Sequence, residues 1–193
     1  MQLRFLAIVS LVSATFLLNA CVPPVLVAGA AAGASVAADR RTAAAVVDDQ
    51  AIEFKAMAAL NGDTDLADNT RVSVTSFNGV LLLTGQAPTP ALRQRAVDKV
   101  KGIDKVRTIH DELEIAPPTS VKQQSRDTWL TTRVKSAMLG AEGLDAAHIK
   151  VVTENDVVYL MGLVAHAEGE RAARTAQTVE GVKRIVTVFE YTD

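Results

Sequence analysis

Two stretches of this chain share one pattern of apolar and polar positions. Residues 71–85 read RVSVTSFNGVLLLTG, and residues 148–162 read HIKVVTENDVVYLMG. In each, apolar residues alternate along a first run (Val72 and Val74; Ile149 and Val151). A two-residue turn follows (Asn78-Gly79; Asn155-Asp156), then a run apolar on both faces (Val80 to Leu83; Val157 to Met161). Alternation predicts a half-buried strand, and a doubly apolar run predicts a central one. Asn, Asp and Gly tolerate the positive φ of a two-residue hairpin turn. Ahead of each hairpin, Ile52, Ala56, Ala59 and Leu60, and again Leu130, Val134, Ala137 and Met138, keep the i, i+4, i+7, i+8 spacing of one helical face. A second helix is expected from Pro90 to Gly102 and from Ala167 to Gly181, each glycine closing it in left-handed geometry. A last strand is expected over Val106 to Leu113 and Ile185 to Tyr191.

The fold class predicted is therefore α+β: two tandem αββαβ units, each a small three-stranded mixed sheet packed by two helices. The hairpin is antiparallel, and the second helix is a right-handed crossover to a strand of the same sheet. Gly85 and Gly162 lie 77 apart, Gly102 and Gly181 lie 79 apart, and the helical positions lie 78 apart. The expected layout is a first unit at 48–115, a linker at 116–125 that opens on Pro117-Pro118, and a second unit at 126–193. In the second unit the last strand is apolar on both faces (Ile185, Val186, Val188, Phe189, Tyr191). The first unit carries Arg107, His110 and Glu112 there. This strand is expected to meet the first unit.

Residues 1–20 read as an export signal: Arg4, then an apolar stretch from Phe5 to Leu18. The boundary Leu18-Asn19-Ala20-Cys21 resembles the lipobox of bacterial lipoproteins, which implies acylation of Cys21. An ordinary secretory signal is the alternative. Each buried methylene contributes about 0.8 kcal/mol, so several acyl chains would make attachment effectively permanent. Val22 stands where an Asp would favour inner-membrane retention, so the resemblance implies the outer membrane, facing the periplasm. Residues 21–47, rich in Ala, Gly and Val, read as a tether, with a short Ala-rich helix as the alternative.

Composition narrows the function. The 193 residues carry 20 basic and 22 acidic side chains, a net charge of −2. With no long basic run, nucleic acid is not an expected partner. One cysteine allows no intrachain disulfide. His110, His148 and His166 have no metal-ligand spacing, and no nucleophile elbow, phosphate loop or dinucleotide fingerprint occurs. Neither an enzyme nor a cofactor is expected.

What the repeats do not share is more telling. On the first helix of the second unit, Trp129, Arg133, Ser136, Thr132 and Leu139 fall on a face away from the core stripe, with Arg126 beside them. The first unit has Ala51 opposite Trp129 and Asn61 opposite Leu139, although its Phe54 stands opposite Thr132. Lys122, Arg126, Arg133 and Lys135 against Asp127 give a local charge of +3. Indole at headgroup depth with cations at phosphate suits a membrane interface. Packing of Trp129 between the units is the alternative.

A secreted αββαβ unit with a V-x-V-x-x-x-N-G-x-V-x-L-x-G hairpin and a late G-V-x-x-V resembles the BON domain. DTWLTTRVKS (127–136), VTENDVVYLMGLV (152–164) and GVKRIVTVF (181–189) carry the likeness in the second unit. The hairpin glycine expected there is Asp156. Two such units behind a lipobox resemble dual-BON lipoproteins. The resemblance implies binding of anionic phospholipid such as phosphatidylglycerol through the second unit, support of outer-membrane integrity and enrichment at division sites. A protein-interaction module contacting the outer-membrane protein assembly machinery is the alternative, and a plain structural spacer is a third reading.

Overall fold

The structure, a computed structural model, describes residues 39–193. The first unit runs α1 (Ala43–Asn61), α2 (Thr64–Asn69), β1 (Arg71–Phe77), β2 (Val80–Ala87), α3 (Pro90–Val100) and β3 (Thr108–Ile115). The second runs α4 (Val121–Leu139), a single 3₁₀ turn (Ala146–His148), β4 (Ile149–Glu154), β5 (Val157–Val164), α5 (His166–Gln177) and β6 (Arg184–Tyr191). Each sheet has the order β1-β2-β3 or β4-β5-β6, with an antiparallel hairpin and a parallel third strand. The predicted α+β architecture of two αββαβ units is what forms.

Three apolar cores hold the described residues together. Period-2 alternation along the central strands assigns their side chains to them. Leu81 and Leu83 of β2 point at Ile52, Ala56 and Leu60 of α1. Val158 and Leu160 of β5 point at Leu130, Val134 and Met138 of α4. The opposite faces of the same strands, Val80 and Leu82 with Val157, Tyr159 and Met161, meet each other in a third core with Phe77 and Val188. The two sheets thus pack face to face with helices outside. Burial of each Leu, Met or Phe there contributes about 1.5–3 kcal/mol. Burial also pushes the Tyr159 phenol up to about 12. β6 meets the first unit, through Val186 and Val188.

Contacts around this core recur at positions related by the repeat: Asn78 Nδ2 donates to Glu190 at 2.9 Å, and Asn155 Nδ2 to Glu114 at 2.9 Å. Arg107 bonds Glu190 at 2.6 Å and Arg184 approaches Glu112 at 3.9 Å, along the β3/β6 margin. Lys150 Nζ donates to the Ser76 carbonyl at 3.3 Å while Arg71 lies 3.6 Å from Glu154, along the β1/β4 margin. The structure is therefore approximately two-fold symmetric, with β1 beside β4 and β3 beside β6. Buried Gln86 donates to buried Glu154 across the interface at 2.9 Å.

Several expected boundaries move. α1 begins at Ala43, inside the segment read as tether, because Thr42 caps it by accepting from Ala45 N. Just before it, Arg40 donates to both Glu168 oxygens, at 2.6 and 3.0 Å, and to the Leu163 carbonyl at 3.0 Å. Arg41 bonds Asp49 at 2.7 Å and stacks on Phe77. α4 begins at Val121, within the expected linker, capped by Ser120. α3 stops at Val100 and Gly102 is not in the left-handed region; Lys105 (φ 70) takes that conformation in the following turn. Gly181 is left-handed (φ 98), but α5 already ends at Gln177. The repeated glycines Gly85 and Gly162 have a plain steric cause: a Cβ there would collide with the carbonyl of Arg71, which opens β1, or of His148, just before β4.

Candidate functional site

The outer face of α4 is set by what its inner face must do. Leu130, Val134 and Met138 are buried in the second core. Between them and the N-terminus, buried Asp127 accepts from Asn155 N at 3.0 Å and Asp156 N at 2.9 Å, so the carboxylate satisfies the backbone of the β4–β5 turn. Gln123 donates to its Oδ1 at 3.0 Å. Asp49 does the same in the first unit, accepting from Asn78 N (2.6 Å), Gly79 N (2.8 Å) and Ser76 Oγ (2.6 Å). These two contacts fix the rotation of each first helix. Neither was read from the sequence, where a lone Asp on a helix looks solvated. The signal was its recurrence at the same offset of 78 as the core positions.

With that rotation fixed, Trp129 is 51% exposed and Leu139 is 77% exposed. Arg133 lies over the indole, 4.9 Å from its centroid. Thr132 and Ser136 are exposed between them. The Thr132 hydroxyl donates back to the Thr128 carbonyl at 3.1 Å. Val121, 76% exposed, also belongs here and was not read from the sequence. It lies eighteen residues from Leu139, five whole turns at 3.6 residues each, so the two aliphatics share one line. It was hidden because its segment read as linker.

Lys122, Arg133 and Lys135 are exposed and form no ion pair among the described residues. Arg126 differs: its Nε donates to Asp156 at 2.6 Å, and Lys183 bonds the other oxygen at 2.9 Å. Burial would raise the Asp156 carboxyl, but donation from Lys183, Arg126 and Gln123 outweighs it and holds it below its ordinary range. Asp156 sits at φ 63, where the first unit has glycine, and these cations hold it there. Arg126 is thus committed to the turn and adds little free charge to the face. Cys21 lies outside the described residues.

The first unit is less plain than expected. The positions opposite Trp129 and Leu139 are Ala51 and Asn61, yet α1 exposes Val47 (64%), Phe54 (76%) and Met57. Among the described residues, no group of three or more His, Cys, Asp and Glu could hold a metal, and no helix is long and apolar enough to cross a membrane.

The BON domain family matches residues 48–117 and 126–193. The chain is 39% identical to the outer membrane lipoprotein DolP of Haemophilus influenzae, over 95% of this chain and 94% of that one. It is 35% identical to a 21 kDa hemolysin of Actinobacillus pleuropneumoniae over 79% of each chain. It is also 35% identical to osmotically-inducible protein Y of Escherichia coli, over 72% of this chain and 70% of that one.

Proposed function

The chain belongs to the BON-domain family, and from that premise we propose that it is an outer-membrane lipoprotein, anchored through Cys21, whose α4 face reads anionic phospholipid. The observation that carries the reading is the stacked, exposed Trp129–Arg133 pair on a helix whose inner face is fully committed to the core. Indole suits headgroup depth, and the guanidinium above it meets phosphate. Leu139 and Val121 extend the apolar contact at either end of the helix. Each cation near an anionic surface contributes at most about 1 kcal/mol, so the face binds weakly alone. Attachment is the anchor's task; the face sets orientation and the lipids among which the protein resides. Enrichment at division sites and support of envelope integrity would follow from that preference, with no chemistry on a substrate.

Residues 39–193 hold both paired units and the α4 face, so that fragment carries the test. Titrated with phosphatidylglycerol vesicles, Trp129→Ala and Arg133→Glu should each weaken binding roughly tenfold, about 1.4 kcal/mol. Unchanged binding in both would sink the site assignment. The same Trp–Arg pair is hot-spot chemistry for a protein partner, such as the outer-membrane protein assembly machinery. Photo-cross-linking in cells from position 129 separates the readings: a dominant protein adduct favours the partner, and lipid adducts favour the membrane.

A further inference from the structure

β6 is an edge strand of the second sheet, and a groove of about 450 Å³ lies between it and α5. Ala173, Val182 and Ile185, half-buried against the second core, form its apolar floor. Arg174 of α5 lines it from one side. Lys183 and Arg184, where β6 begins, line it from the other. All three cations are exposed, and no carboxylate lines the groove among the described residues. The volume is that of a small-molecule site.

These cations are lightly held. Arg174 meets Glu170 at 3.2 Å, an i, i+4 pair with side chains 66% and 70% exposed, which water and salt screen. Arg184 lies 3.9 Å from Glu112, beyond hydrogen-bonding distance. Lys183 donates to Asp156 at 2.9 Å, but an ammonium has three N–H groups and this pair uses one. Each known partner also lies outside the groove.

The repeat supplies a control. Arg107 N donates to the Gly79 carbonyl as Lys183 N does to that of Asp156, at 2.8 and 2.9 Å. The left-handed residues Lys105 and Gly181 precede them by two positions, and the caps Thr89 and Ala165 open α3 and α5. The offset here is therefore 76, and Arg174, Lys183 and Arg184 stand opposite Asp98, Arg107 and Thr108. One acid, one cation and one neutral residue occupy the places that hold three cations in the second unit. Asp98 is itself paired with Lys101 at 2.7 Å, and Arg107 with Glu190 at 2.6 Å. The shared fold thus does not require the cations; they are particular to the second unit.

We propose that the α5–β6 groove is a binding site for a small soluble phosphomonoester, separate from the α4 face and independent of the membrane reading. A monoester carries about −1.5 to −2 charges at pH 7 and three terminal oxygens, enough to engage all three cations. A carboxylate or a phosphodiester brings one charge. Guanidinium forks match phosphate oxygens, and two of the three cations are arginine. A recess also favours a dissolved ligand, because a flat bilayer meets protruding side chains such as Trp129 and Leu139. The apolar floor would take the carbon skeleton of the ester.

The mature chain from residue 21, with Cys21→Ser, gives the test by titration with glycerol 3-phosphate at constant ionic strength. Amide nitrogen–proton shifts report on the groove. Saturating shifts are expected at Val182, Arg184 and Ile185. Arg174→Ala and Arg184→Ala should each raise the half-saturating concentration at least fivefold. Both side chains are exposed, so the unbound spectra should otherwise match; Lys183 is left intact because it also holds the turn through Asp156. Acetate should require at least tenfold more for the same shifts. Shifts that never saturate, saturation that survives both substitutions, or equal response to acetate would each overturn the proposal. So would a groove that answers to phosphatidylglycerol vesicles and not to the soluble ester. The titration contains no lipid, so its failure leaves the α4 reading standing.

Discussion

Asp49 and Asp127 show how much one side chain can carry. Each is buried, and each collects the otherwise orphaned N–H groups of a tight turn. Removing an acceptor strands buried donors, which costs about 1–3 kcal/mol for each group. Asp49→Ala and Asp127→Ala should therefore each lower stability in urea by roughly 2–4 kcal/mol, although neither residue is apolar. Asp156 gives a pH dependence of fixed sign. Its folded carboxyl lies below the ordinary 3.8, so its pairs with Lys183 and Arg126 contribute fully above that value and are lost as pH falls through the lower folded one. Glu168, held down first by donation from Arg40, behaves alike below its ordinary 4.5. Stability should thus fall below about pH 4, and Asp156→Asn should flatten part of that fall in urea titrations from pH 5 to pH 2. A variant with the unchanged slope would show that the turn pair is not involved.

At the level of elements, the two hairpins and the core faces of α1 and α4 were legible because their periodicity is strict and because everything appears twice. α2 was not legible: Leu66 is its sole buried residue, too few for any period. The start of α1 was hidden in an Ala- and Val-rich stretch whose order depends on the local Thr42 cap and on Arg40 and Arg41 finding Glu168, Asp49 and Phe77. The Trp129 face was legible for the opposite reason, as a departure from the repeat at positions the core does not claim. The apolar face of α1 was visible only in part, through Phe54, since alanines give no sign of exposure until the packing is known. An element with separate inner and outer duties can lose one and keep the other. Leu139→Asp should weaken vesicle binding several-fold while the melting temperature stays within about 2 °C, because exposed substitutions shift stability by less than about 0.5 kcal/mol. A large drop in melting temperature would place Leu139 in the packing instead of on the binding face.

At the scale of the whole molecule, the question is whether two small units behave as two. Each sheet has both faces committed, one to its own helices and one to the other sheet. A unit released from its partner would expose Leu82, Phe77 and Val80, or Tyr159, Met161 and Val157, as a contiguous apolar patch. It would also leave buried Gln86 and Glu154 without each other. Arg40 adds a tie, joining the entry to the first unit to the N-terminus of α5 in the second. Burial of that area favours joint opening, and opening of one sheet face removes half of the other's cover. Leu82→Ala creates its cavity on the shared side, at a typical cost of about 2–5 kcal/mol. If the units are coupled, native-state hydrogen exchange of the β5 amides should accelerate in this variant by the same free energy as that of the β2 amides, though no residue of the second unit has changed. Leu81→Ala, facing the first unit's own helices, provides the comparison. An effect of Leu82→Ala confined to β2 would mean that the second unit, with its Trp129 face, stands on its own core alone.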